Sequence, residues 1–253
     1  MKNKNYETRL LQALLETGEK LLGSGAEIKR VEDTLERIGT AYGAARMNVF
    51  VITSSIIITM ERADGTLLTH TRRITFKSGT DFTLLENLNE LSRQCCIHAL
   101  PLEEFEQKLK SCTPSNRRWD LYLGSILAAG GFAVFFGGTA ADGIAAAVFA
   151  VLICFFQEKA TRLFSNNIMF NLVCSFLAGV IICLAVRLMP FLHMDKIMIG
   201  DIMLLIPGIA ITNALRDMLM GDTISGVMRM IEGILWAGAL AGGFMAAIWM
   251  VGI

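Results

Sequence analysis

A surplus of either charge is missing from this chain: 23 basic and 23 acidic residues give a formal net charge of +0 and a pI near 6.8. The basic residues of the first half are interleaved with acids rather than blocked. That excludes a bulk electrostatic grip on a polyanion, so no nucleic-acid partner is expected. The six cysteines, Cys95, Cys96, Cys112, Cys154, Cys174 and Cys183, form no Cys-x-x-Cys and no zinc-type pattern with histidine. Neither a metal site nor a disulfide framework is expected, and cysteines inside apolar runs read as small hydrophobes. No cofactor is implied. His70 and His98 have no nucleophile that can be tied to them, and paired acids on one helix face are lacking, so the chain does not read as an enzyme. The N-terminus MKNKNYETRL lacks the apolar run of a cleaved signal peptide, which places the first half in the cytosol.

Apolar residues, by contrast, are abundant. With 53% hydrophobic and 18% charged residues and a mean hydropathy of +0.52, the chain cannot hide its apolar surface in one water-soluble core. Residues 1 to 118 carry seventeen of the 23 basic and fifteen of the 23 acidic residues, so the two halves are suited to two solvents. Uncharged runs of 21 residues after Asp120, 24 after Arg162 and 21 after Glu232 each suffice for the ~20 residues that cross a bilayer. Two shorter runs, 15 residues after Asp142 and 14 after Asp201, bring the expected crossings to five, the last of these runs being broken by Pro207-Gly208. The expected fold is thus an α+β cytoplasmic domain, residues 1–116, followed by an all-α domain, residues 117–253. The latter has about five transmembrane helices near 120–140, 143–158, 166–188, 197–215 and 224–251. Arg117, Arg118, Lys159, Arg162, Arg216 and Arg229 fall on one side of such a layout and Arg187 and Lys196 on the other. The positive-inside rule then puts the N-terminus in the cytoplasm and the C-terminus outside a bacterial inner membrane.

Within the first half, Leu11, Leu14, Leu15, Leu21 and Leu22 form a helical stripe that stops at Gly23-Ser24-Gly25. Ser24 and Glu27 predict a capping box for a second helix carrying Ile28, Val31, Leu35 and Ile38. The segment after Asn48 predicts a hairpin with a tight type I′ turn at Asp64-Gly65. Thr83 with Glu86 predicts a third helix to about Gln94, Pro101 a fourth to about Lys110, and residues 113–116 a linker. The hydroxyl run Thr53-Ser54-Ser55 could line a polar site or simply lie on a sheet surface.

The chemistry concentrates between Gly200 and Glu232, where ionisable groups adjoin residues of membrane depth. A charge at the bilayer centre costs about 2.5 to 3.5 kcal/mol, so such groups pair, reach an interface or line water. Pro207-Gly208 predicts a helix break whose N-terminal end attracts a carboxylate. Asn213, which both donates and accepts, and Arg216 beyond it complete a site for a small carboxylate-bearing solute. Pro207, Gly208, Asn213, Arg216 and Asp217 are expected to shape that site and Asp222, Arg229 and Glu232 to hold it, with Asp201 or Asp142 carrying a coupling proton.

Three segments resemble the threonine/serine exporter family: GAEIKRVEDTLERIG at Gly25–Gly39, TSSIIIT at Thr53–Thr59 and IPGIAITNALRDMLMGDTISGVMRMIE at Ile206–Glu232. The last, with its PG, TNA, RD, GD, SG, R and E in order, is the specific one. Thr53-Ser54-Ser55 departs from the family, which often has proline between two hydroxyl residues there. The resemblance implies an amino-acid antiporter of the plasma membrane exporting threonine or serine, and an oligomer is a further expectation. Full-length members resemble this unit joined to a second, smaller membrane block, so the chain is similar to the larger half of a two-component exporter with a separately encoded small polytopic partner. In related split systems that arrangement is linked to export of a dicarboxylate, succinate. A membrane-anchored sensor or scaffold with a ligand-binding cytoplasmic domain is the alternative.

Overall fold

Leucines repeating at three and four residues drive the first element, and the rest of the chain is built from similarly local signals. The computed structural model describes residues 2–75, 79–114, 118–160 and 167–252, and among them are ten α-helices and one three-stranded sheet. The chain divides into two compact units: Met1–Ser115 with Ile209–Met230, and Asn116–Gly208 with Ile231–Ile253.

In the first unit α1 (Lys2–Gly23) and α2 (Ile28–Ala41) are followed by β1 (Arg46–Ile52), β2 (Ser55–Glu61) and β3 (Leu67–Arg73), an antiparallel meander in the order β1-β2-β3. α3 (Phe82–Ile97) and α4 (Leu102–Ser111) complete its N-terminal part. β2 buries every second residue, Ile56, Ile58 and Met60, against Leu11, Leu14, Val31 and Leu35 of the helices, the period-2 pattern of a sheet with one covered face. α2 contributes Ile28, Val31, Leu35 and Ile38 to the same core, which leaves Arg30, Thr34 and Arg37 on the opposite side.

Three local expectations are corrected. Ser24 does not cap α2; its hydroxyl donates back to Leu21 O at 3.0 Å, and Glu27 is the N-cap residue with no side-chain cap bond of its own. α3 is capped by Asp81, whose carboxylate accepts from Leu84 N at 2.9 Å, two residues before the expected Thr83. The β2–β3 turn is not type I′, which needs two positive-φ residues: Gly65 has φ +79 and no non-glycine residue has positive φ among the described ones. Arg62 N donates to Thr66 O and the Asp64 carboxylate accepts from Thr66 N, so the strands are joined by a longer loop. Thr53 and Ser54 form the tight β1–β2 turn that the Ile52–Ser55 pair closes.

The second unit contains α5 (Arg118–Phe135), α6 (Ala140–Ala160), α7 (Asn167–Leu188), α8 (Met194–Leu205) and most of α10 (Thr223–Val251). Small residues let these helices approach closely. A Cβ on Gly200 would lie 2.5 Å from Ala129 O, joining α8 to α5, and one on Gly243 would lie 2.5 Å from Leu172 O, joining α10 to α7.

The expected fold class is overturned here. Among the described residues only Ala140–Lys159, Ile168–Leu188 and Thr223–Val251 are long and apolar enough to cross a bilayer, or four spans if α8 and α9 (Gly208–Leu219) count as one broken span, and α5 is a shorter apolar helix. Pro207 has no N–H to continue the ladder and forces Ile206 into an extended conformation, so the run around it splits into two twelve-residue helices. Each is about 18 Å long at ~1.5 Å per residue, well short of a hydrocarbon core. Nor does the first unit simply precede the helical one, because residues 209–230 return to it. Arg117, Arg162 and the second half of the expected linker, residues 115 and 116, lie outside the described residues.

Candidate functional site

α9 presents Asn213, Arg216 and Asp217 at helical spacings of three and four, and all three reach the loop that opens α2. Asn213 Nδ2 donates to Gly25 O at 3.0 Å, and Arg216 Nη1 donates to Glu27 Oε1 at 2.7 Å. The buried Asp217 carboxylate accepts from Ile28 N at 3.2 Å through Oδ1 and from Arg229 Nη1 at 2.9 Å through Oδ2. Arg229 also donates to Ala26 O at 3.3 Å through Nη2. Asp217 thus caps α2 from nearly two hundred residues away, a role that no residue of the loop fills. The helix N-terminus that receives a carboxylate is therefore that of α2. Gly25, at φ +92, makes the bend that aims its carbonyl and that of Ala26 at these donors. Gly226 lets the first turns of α10 close on α9, since a Cβ there would lie 2.7 Å from Ala214 O.

The remaining expected site residues are distributed differently. Asp222 lies in the turn between α9 and α10; its backbone N donates to Asp217 O, while its Oδ2 is buried without a partner among the described residues. Its charge adds to burial, the larger cause, in raising the carboxyl of Glu32 above the usual range, although Glu32 accepts from Val51 N. Pro207, Gly208 and Glu232 belong to the second unit, and Glu232 is exposed. Arg229 is spoken for by Asp217 and Ala26 rather than by Glu232.

In the second unit the two acids proposed for a proton differ sharply. Asp142 is buried and fully satisfied. It accepts from Thr139 N at 2.7 Å, Thr139 Oγ1 at 2.8 Å and His193 N at 2.7 Å, and it faces His193 Nδ1 at 2.9 Å. Asp142 N in turn donates to Thr139 Oγ1, so the pair is a reciprocal capping box at the start of α6. His193 is the N-cap residue of α8, so one carboxylate ties two helix starts together. Asp201 is equally buried, at 0% exposure, yet neither carboxylate oxygen has a hydrogen-bond partner among the described residues. Two further buried donors of this unit, Asn171 Nδ2 and Trp236 Nε1, also have no hydrogen-bond partner among the described residues.

Sequence reasoning missed Gly25, Ala26 and Glu27 as partners, and no local signal points to contacts across such separations. It missed His193 for the same reason. Thr139-x-x-Asp142 ahead of an apolar run was a readable capping box.

Residues 12–251 match the family described as threonine/serine exporter. The chain belongs to the threonine/serine exporter family. A protein of Klebsiella aerogenes named "Probable succinate transporter subunit YjjP" is 26% identical over 236 residues, 92% of this chain and 90% of that protein. No solved structure matches. Family membership and the apolar helices make this a multi-pass membrane protein, and both comparisons point to a transporter rather than an enzyme.

Proposed function

We propose that this exporter-family chain is the larger subunit of a two-component secondary antiporter in the bacterial inner membrane. With a separately encoded small polytopic subunit, it moves a small carboxylate-bearing solute out of the cytosol in exchange for protons. The observation that carries the reading is Asp201, a fully buried carboxylate without a hydrogen-bond partner among the described residues, on an apolar helix. An ionised carboxylate left this way is costly, and a chain that keeps one at membrane depth has a use for its proton. Asp142, held by four polar contacts, is structural in this scheme.

Asn213, Arg216, Asp217 and Arg229 supply the solute chemistry: two guanidiniums and a helix N-terminus that now hold the carboxylates of Glu27 and Asp217. A solute carboxylate competes for those donors during transport. Counted on three spans, Arg118, Arg187, Lys196 and Arg216 fall on one side and Lys159 on the other, which supports a cytoplasmic N-terminus and leaves the C-terminus outside. Threonine and serine are the solutes the family suggests, whereas the name of the Klebsiella aerogenes protein favours succinate as a second reading.

Export profiles of cells making the chain with its partner test this directly. Wild type is expected to release one carboxylate solute above background, and Arg216→Ala and Asp222→Asn to release several-fold less at equal membrane abundance. Unchanged release would make those residues structural.

A further inference from the structure

A cleft of about 490 Å³ in the first unit lies between α2, α3 and α9, and its walls carry five basic and three acidic side chains. All three acids are already engaged: Glu27 by Arg216, Asp33 by Lys29 at 3.2 Å, and Asp217 by Arg229. Arg93 is held outside this set by Glu90. Arg30 and Arg37 have no carboxylate within 4.0 Å among the described residues, although Asp33 precedes Arg37 by one helical turn. They stand two turns apart on the face of α2 that the core leaves free, about 10.5 Å along the axis at ~1.5 Å per residue. Long guanidinium side chains at that separation can converge on one occupant or hold its two ends. Across the cleft, α3 contributes Asn89, whose amide can read a hydroxyl or carbonyl.

We infer that this cleft is a binding site for a small organic dianion, the class that includes dicarboxylates and monophosphate esters, held by Arg30 and Arg37. The volume suits a small metabolite rather than a bare ion. Two surplus guanidiniums match carboxylate or phosphate oxygens in a way that lysine does not. Neither arginine belongs to the groups proposed for transport, although the cleft shares Glu27, Arg216 and Asp217 with that site. Because Glu27, Arg216 and Asp217 border both the cleft and the contacts at the start of α2, an occupant sits where it can report on that junction.

Calorimetric titration of the full chain in nanodiscs of zwitterionic lipid tests the site, with succinate and glycerol phosphate as probes and threonine as the control without net charge. Saturable binding of a dianion is expected, weaker at higher salt, at least tenfold weaker in Arg30→Gln/Arg37→Gln, and partly restored in Arg30→Lys/Arg37→Lys. An unchanged thermal melt of the Gln pair shows that the fold survives. Absence of saturable binding by wild type, or equal binding by the Gln pair, overturns the inference. Failure of the transport reading would appear instead as absent efflux with this binding intact.

Discussion

Asp217 does two jobs with its two oxygens, closing the N-terminus of α2 and neutralising Arg229, whose side chain is only 12% exposed. Removing it leaves a buried cation unpaired and a helix start uncapped, losses of the kind that cost about 3–5 kcal/mol and about 1 kcal/mol. Arg216 and Glu27 form an equally short ion pair, but the arginine is 56% exposed, where such pairs contribute about 0–1 kcal/mol. Asp217→Ala is therefore expected to lower the thermal melt of the purified chain strongly and Glu27→Ala hardly at all. Equal shifts for the two variants would show that the buried pair is not the stabilising contact.

Helix packing in the second unit depends on backbone approach at a few glycines. Gly200→Ala would push a methyl group against the Ala129 carbonyl, which cannot rotate away, and is expected to destabilise by about 1–3 kcal/mol. Gly238→Ala meets nothing within 4 Å and is expected to leave the melt unchanged. Detergent-solubilised protein suffices for the comparison, and indistinguishable melts would remove the close-approach explanation. At this scale much was readable in the sequence. The Ile28, Val31, Leu35 and Ile38 repeat, the Pro101 helix start and the hairpin after Asn48 are local signals, and each element forms. Counting uncharged runs failed for the first and fourth expected crossings, near 120–140 and 197–215, because it ignores the breaks at Gly137-Gly138, which ends α5, and at Pro207. Asn213, Arg216 and Asp217 find partners at residues 25 to 28, a separation that no window of sequence can reveal. Asn213, Arg216, Asp217 and Arg229 converge on the start of α2, whereas Pro207, Gly208 and Glu232 belong to the other unit.

The whole molecule combines an α+β unit that recruits residues 209–230 with a helical unit carrying two buried acids, one satisfied and one not. Its orientation has a direct reporter, because Cys96 is exposed and the other five cysteines are buried. A membrane-impermeant maleimide is expected to label Cys96 in inside-out vesicles and not in intact cells; labelling from outside would invert the topology. The proposed cycle rests on Asp201 taking and releasing a proton, and it is tested most directly in proteoliposomes holding the chain and the proposed small subunit under an imposed pH gradient. Wild type is expected to drive solute flux that follows the gradient, and Asp201→Asn to keep solute exchange while losing that dependence. Wild-type flux indifferent to the gradient, or an Asp201→Asn variant that follows it as wild type does, would contradict the proton-coupled mechanism.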